Sequence, residues 1–259
     1  YLHNHARMWF ASIWIFTLDL PWVLGADLFL SKLLDGDPAS NTLSWRWVAG
    51  LQTRDKTYLA RPDNTERFTE GRFRAPPGSL AEVAQAVEGP PPPPAFPFGA
   101  FRDAPRRPPV GVWVHREDLS PDWLVNQVPA MKIAVLWWGG DDATGDMLPV
   151  RFTAGALSDT RKRLGEAGRT VEDVGHPDGR FADPVAWAED RKIPTIVTPY
   201  APTGPCREYL DGLRPRARAA GIEIVAVARR WDRAAWPHAT KGFSPFKRRI
   251  PEFLKALGA

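Results

Sequence analysis

The chain has 259 residues, of which 44% are hydrophobic, 25% charged and 11% aromatic. That balance excludes a disordered or collagen-like protein and predicts a soluble globular one, with two modest domains the better expectation over one large domain. The net charge of +4, from 34 Lys and Arg against 30 Asp and Glu, permits nucleic-acid or anionic-ligand binding without demanding it, and the single cysteine, Cys206, excludes an intrachain disulfide and points to the cytoplasm. Twelve tryptophans and 27 prolines are the outliers. Buried Trp needs a partner for its N–H, so the enrichment fits aromatic packing around a ligand, interface or cofactor, or simply an aromatic core.

The sequence opens on Tyr1 and runs directly into helix-like residues with no capping signal, as a piece of a longer protein would. Met8 to Leu20 is the most apolar stretch, yet it is shorter than the roughly 20 residues a membrane span needs and is bounded by Arg7, Asp19 and Pro21. It reads as part of a buried helix over Asn4 to Leu18, apolar nearly all round. A second helix is expected over Gly25 to Leu34, with Leu28, Phe29, Leu33 and Leu34 inward, and a third over Ser40 to Leu51. No strand pattern interrupts them, so residues 1–74 are expected to be all-helical.

A proline run at residues 89–97 (GPPPPPAFP) favours an extended spacer and marks a domain boundary. Its turn-rich flanks set the linker at residues 75–109, with a short helix expected at Leu80 to Val87. Beyond it, apolar runs at Val110 to Val114, Ile133 to Trp137, Val171 to Val174, Thr195 to Thr198 and Ile222 to Val227 alternate with helical segments at Ala154 to Ala167, Pro184 to Arg191 and Pro205 to Ala220. This alternation predicts a doubly wound, Rossmann-like parallel sheet over residues 110–259. The last long helix should stop at Gly221. Neither GxGxxG nor GxxxxGK[ST] follows the first strand, so a nucleotide in the usual position is not supported.

Polar residues in the helical region cluster at Asn4 and Arg7, and again at Asp35, Asp37 and Asn41. An unpaired guanidinium on so apolar a helix would be costly, and Asp35 or Asp37 is its natural partner. Asn4 and Arg7 lie one turn apart and share a face; Asp37 and Asn41 do so at the next helix start, where Asp37 can also cap. The arrangement is either a structural ion pair or donors and acceptors converging beside Trp rings on a planar heteroaromatic ligand.

The run Tyr1-Leu2-His3-Asn4-His5-Ala6-Arg7-Met8, then Trp22, then Leu34-Asp35-Gly36-Asp37-Pro38-Ala39-Ser40-Asn41, then Trp45-Arg46-Trp47, resembles the FAD-binding domain of the photolyase/cryptochrome family in residue type and spacing. The resemblance covers Tyr1 to Tyr58, the second half of that all-helical domain. It implies FAD as cofactor, with Asn4, Arg7, Asp35, Asp37 and Asn41 as cofactor-binding residues, Asp35 the partner of Arg7, and Asn41 at the position facing flavin N5. Asn there resembles the photolyase branch, whereas plant cryptochromes carry Asp. Trp45 and Trp22 match the inner two members of the electron-transfer chain that photoreduces FAD. Met8 and Trp47 match the wall of the lesion-binding pocket, and the histidines that (6-4) photolyases place at the sites of Asn4 and Met8 are absent, which implies cyclobutane pyrimidine dimers as the lesion. The family's aromatic-rich segment is replaced by Thr57-Tyr58-Leu59-Ala60-Arg61-Pro62-Asp63-Asn64. The resemblance implies that the other half of the FAD domain is a needed partner, alongside UV-damaged DNA.

The second region is similar to the same family's α/β antenna domain at Val112-Trp113-Val114-His115-Arg116-Glu117-Asp118-Leu119, Thr198-Pro199-Tyr200-Ala201-Pro202 and Thr240-Lys241-Gly242-Phe243-Ser244-Pro245-Phe246. The order of the two modules is then reversed, and no pigment follows from these residues. Arg229 to Arg249 holds seven basic residues and one Asp, with four aromatic residues interleaved, which suits a solvated tail better than a nucleic-acid contact. The histidines lack metal-ligand spacing, and Cys206 reads as a buried thiol. The expected activity is blue-light-driven repair of cyclobutane pyrimidine dimers; the alternative is a cryptochrome-like photosensor or a degenerate FAD-binding module without repair activity.

Overall fold

Pro21, Pro38 and Pro62 stand at three helix starts, where a fixed φ and a missing N–H cost nothing. The computed structural model describes residues 2–90, 101–105, 107, 109–128, 130–135, 148–173, 183–240 and 242–258. The chain divides into two compact units, Tyr1–Pro94 with Thr144–Phe152, and Ala95–Ala143 with Thr153–Ala259.

In the first unit, α1 (Asn4–Ser12) continues as a single π-helical turn over Ile13–Thr17. The expected single helix to Leu18 therefore changes its winding: the Leu18 N–H reaches back five residues to Ile13 O, and Asp19 turns to φ 50 ahead of Pro21. Burial is also narrower than expected. Ala11, Ser12 and Ile15 are buried, while Phe10 and Leu18 are exposed. Helix α2 (Trp22–Lys32) begins three residues earlier than its apolar face suggests, because Pro21 starts it; Phe29 points inward and Leu34 outward. Helix α3 (Pro38–Val48) is capped by Asp37, whose carboxylate accepts from the Ser40 N–H at 2.6 Å. A fourth helix, α4 (Pro62–Phe68), was not foreseen. The core joins Ala11, Ile15, Ala26, Phe29, Trp45, Val48 and Leu51. At Gly25 a Cβ would lie 2.1 Å from the Trp45 ring, so only glycine permits α2 to approach α3 here.

The helix expected at Leu80 to Val87 does not form. The segment is an irregular strap tied to the helices by its backbone: Ala81 N–H donates to Thr17 Oγ1 at 3.1 Å and Val87 N–H to Ala49 O at 2.9 Å. Most of the proline run lies outside the described residues.

The second unit is built on five parallel strands in the order β3-β2-β1-β4-β5. These are β1 (Val110–Val114), β2 (Ala130–Val135), β3 (Val171–Asp173), β4 (Thr195–Pro199) and β5 (Glu223–Val227). Trp137 and Val174, expected at strand ends, fall outside the described residues. Between strands run α5 (Asp122–Val125), α6 (Leu148–Glu166), α7 (Pro184–Asp190) and α8 (Pro205–Ala219). Every residue of β1 is buried, as a strand covered on both faces requires. Val110, Val112 and Val114 pack with Leu124, Leu157 and Leu164 on one side; Trp113 packs with Trp187, Leu210 and Leu213 on the other. Gly111 passes so close under Trp187 that a Cβ would meet its ring at 2.5 Å. Helix α8 ends before Gly221 at φ 71, as expected. After β5 the chain forms α9 (Arg230–Ala235), a 3₁₀ turn (Trp236–His238), α10 (Phe243–Lys247) and α11 (Ile250–Leu257), more order than a solvated tail implies. No helix among the described residues is long and apolar enough to cross a membrane.

Candidate functional site

Helices α1 and α3 present complementary faces at helical spacing, Asn4, Arg7, Met8 and Ala11 from one and Asn41, Ser44, Trp45 and Val48 from the other. With Phe29, Asp35, Ser40 and Trp47 they line a cavity of about 410 Å³, within the range of small-molecule sites. Arg7 Nη1 donates to Asp35 Oδ2 at 2.8 Å and its Nε to Leu2 O at 2.7 Å. Asp35, rather than Asp37, is thus the partner. The pair is partly solvated, so its own contribution to stability is about 1 kcal/mol at most; its effect is to fix the guanidinium at the cavity wall.

Asn41 is buried, and its amide donates to Asp37 O at 3.0 Å. Trp45 is buried with its ring edge-on to Phe29 at 5.2 Å, Phe10 at 6.2 Å and Trp14 at 6.3 Å between centroids. Its Nε1 is buried without an acceptor among the described residues. Asn4 Nδ2 approaches Met8 Sδ at 3.5 Å, one turn along α1. Trp47 is stacked on Tyr58 at 5.6 Å.

Two expected site residues are not brought into the cavity. The Asp37 carboxylate serves as the cap of α3, and Trp22 lies half-buried under the Arg46 guanidinium, 5.8 Å from its ring centroid. Ser44 and Val48 join the wall as well, continuing the spacing of Asn41 along one face of α3. In the unusual segment from Thr57 to Asn64, Asn64 Oδ1 accepts from Trp9 Nε1 at 2.9 Å and from the Tyr58 hydroxyl at 3.4 Å. Ala60 N–H donates to Ser12 Oγ at 2.8 Å. The segment ties the start of α4 to α1.

The family described as the FAD binding domain of DNA photolyase matches residues 1–71. Over these residues the chain is similar to the photolyase/cryptochrome family. Similar curated proteins include a deoxyribodipyrimidine photo-lyase of Streptomyces griseus, 51% identical over 91 residues, which are 34% of this chain and 20% of that protein. The Escherichia coli photo-lyase is 38% identical over 77 residues, 28% of this chain and 16% of its own. A tomato (Solanum lycopersicum) protein named cryptochrome DASH is 32% identical over 78 residues, 29% of this chain and 14% of its own. The chain thus spans a fifth or less of these relatives. No solved structure matches it significantly.

FAD is the cofactor of the family domain that matches. The photolyase segment's cavity fits such a group on its own chemistry: a fixed guanidinium, a buried amide and an orphaned indole N–H suit a planar ring rich in carbonyls. Helical content with a small parallel sheet also fits a photolyase-type fold.

In the α/β unit, a crevice of about 340 Å³ lies at the carboxyl ends of β1, β4 and β5, lined among others by Asp118, Trp123, Tyr200, Arg229, Asp232 and Trp236. Arg229 grips Asp118 through Nε at 2.8 Å and Nη2 at 2.6 Å, and lies 5.4 Å from the Trp123 ring centroid. Just past β1, buried His115 joins the ends of β1 and β4, its Nε2 at 2.9 Å from Pro199 O and its Nδ1 accepting from Glu117 N–H at 3.3 Å. Burial lowers its pKa to about 4, against weaker opposing effects of the bond to Pro199 O and the charge of Asp118. Burial also pushes the Cys206 thiol up to about 12, which leaves it inert. Among the described residues no group could hold a metal ion.

Proposed function

We propose that the chain is part of a flavin-dependent photolyase that splits cyclobutane pyrimidine dimers in DNA under blue light. The observation that carries this reading is the convergence of Asn4, Arg7, Met8, Asp35, Asn41, Trp45 and Trp47 on one cavity, inside the segment that matches the FAD binding domain. Bound in its reduced form, FAD supplies the light-driven electron that opens the cyclobutane ring. Arg7, oriented in advance by Asp35 and Leu2 O, offers fixed positive charge to a negatively charged ring without reorganisation. Asn41 is held by Asp37 O, which leaves its Oδ1 to accept a hydrogen bond at the cavity wall. Asp37 acts here as a positioning residue through the α3 cap. Trp45 would pass an electron toward bound flavin, with Trp22 the next member outward. Met8 and Trp47 form the wall against the lesion, whose damaged pairing lowers the cost of leaving the stack.

The reading requires the remainder of a helical FAD domain as partner. It divides the chain into residues 1–74 as the C-terminal part of that domain, 75–109 as linker and 110–259 as an antenna-like domain, the order reversed relative to the family. The strand order and the apolar packing on both sheet faces support a doubly wound, Rossmann-like architecture for the last of these. The single cysteine supports a cytoplasmic location.

A blue-light repair assay on the full-length protein, with oligothymidine dimers as substrate, tests the reading. Dimer loss should require both light and bound reduced flavin. Flavin bound and photoreduced with no loss of dimer would overturn repair and leave the photosensory or degenerate alternative.

A further inference from the structure

Residues 229–259 hold eight basic and two acidic side chains, so more positive charge lies in this cap than in the net +4 of the whole chain. The structure sorts these cations into two sets. Arg229 is held by Asp118, Arg233 by Asp103 at 2.6 Å, and Arg249 by Glu252 and His238. Arg230, Lys247, Arg248 and Lys255 are exposed and meet no acidic partner among the described residues; Lys241 lies outside them.

The aromatic residues divide in the same way. Phe253 of α11 is buried, with Trp231, His238 and Phe246 at 6.2, 5.4 and 5.8 Å. Phe243, one turn ahead of Lys247 on α10, is 70% exposed. Phe243 and Lys247 lie four residues apart on α10 and so share a face, which sets an exposed ring next to an unpaired cation.

We propose that the cap formed by α9, α10 and α11 binds single-stranded nucleic acid, with Lys247, Arg248, Arg230 and Lys255 on phosphates and Phe243 stacked on a base. Unpaired cations complement a phosphate backbone, and an exposed ring accepts any unstacked base face. A lipid surface fits less well, because α11 turns Phe253, the centre of its apolar face, into the cap rather than outward. The surface lies in the α/β unit and needs neither flavin nor light.

Fluorescence anisotropy of the full chain in the dark, with labelled undamaged oligothymidine at several salt concentrations, tests this. The doubly substituted Lys247→Ala, Arg248→Ala chain should bind about tenfold more weakly at low salt, with the log–log salt slope reduced by about 1.4. Phe243→Ala should weaken single-strand binding about fivefold and leave duplex binding unchanged. Arg230→Ala with Lys255→Ala gives a second charge test should the first pair disturb folding, as read by circular dichroism. Absence of oligothymidine binding, unchanged affinity in the folded variants, or binding to phosphatidylserine vesicles in place of the oligonucleotide would each overturn the proposal.

Discussion

Trp45 carries a buried indole N–H that no acceptor among the described residues meets, at the edge of a cavity lined by the Arg7 and Asp35 pair. A buried donor of this kind calls for an explanation, and a ring with carbonyl groups seated in the cavity is one. Trp45→Phe removes the N–H and part of the ring while giving up no hydrogen bond among the described residues, so the stability loss should stay at about 1 kcal/mol. In the full-length protein the variant should retain flavin, measured by its absorbance, yet lose photoreduction under blue light by more than about tenfold. Normal photoreduction would remove Trp45 from electron transfer. The rings around it matter as well: Phe10, Trp14 and Phe29 meet Trp45 edge-on, while Trp22 sits beneath Arg46.

At the scale of elements, α3 delivers six cavity residues and its start depends on one side chain. Asp37→Ala should cost about 1 kcal/mol through the lost cap, measured by urea unfolding; no loss would mean that the cap contributes nothing. His115 performs a comparable task where β1 and β4 end side by side. It is buried as the neutral ring, and its pKa falls from 6.5 to about 4 on folding. As pH drops below the unfolded value of 6.5, the unfolded chain takes up a proton that the folded chain refuses until about pH 4. Stability should therefore decline through this window, by up to about 3 kcal/mol. His115→Gln keeps a donor for Pro199 O and cannot titrate, so its unfolding free energy should vary less between pH 4.5 and 7. An unchanged pH dependence would rule His115 out as the cause.

Across the whole molecule, the parts legible in the sequence were those fixed by local rules. Four of the five strand positions followed from short apolar runs within a residue or two, and β2 began three residues early at Ala130. The polar convergence of Arg7, Asp35 and Asn41 followed from helical spacing together with family resemblance. What escaped was set by tertiary contact. The π turn after Ser12 and the outward Leu34 depend on how the chain meets Asp19 and Pro21 and on packing at Phe29, not on apolar periodicity. The ordered cap after β5 depends on Phe253 drawing four short segments together, and no single one of them carries a helical pattern long enough to read.

The strap from Ala81 to Val87 bears on how the chain can be dissected. Its backbone bonds to Thr17 and Ala49, and the close fit of Gly89 on Leu51, make residues well past 74 part of what closes the helical unit. A fragment ended at residue 74 would bare Ala49 and Leu51 to water and leave two backbone partners behind. An expression boundary placed after residue 90 preserves them, and it is there that the helical unit should be separated for crystallisation.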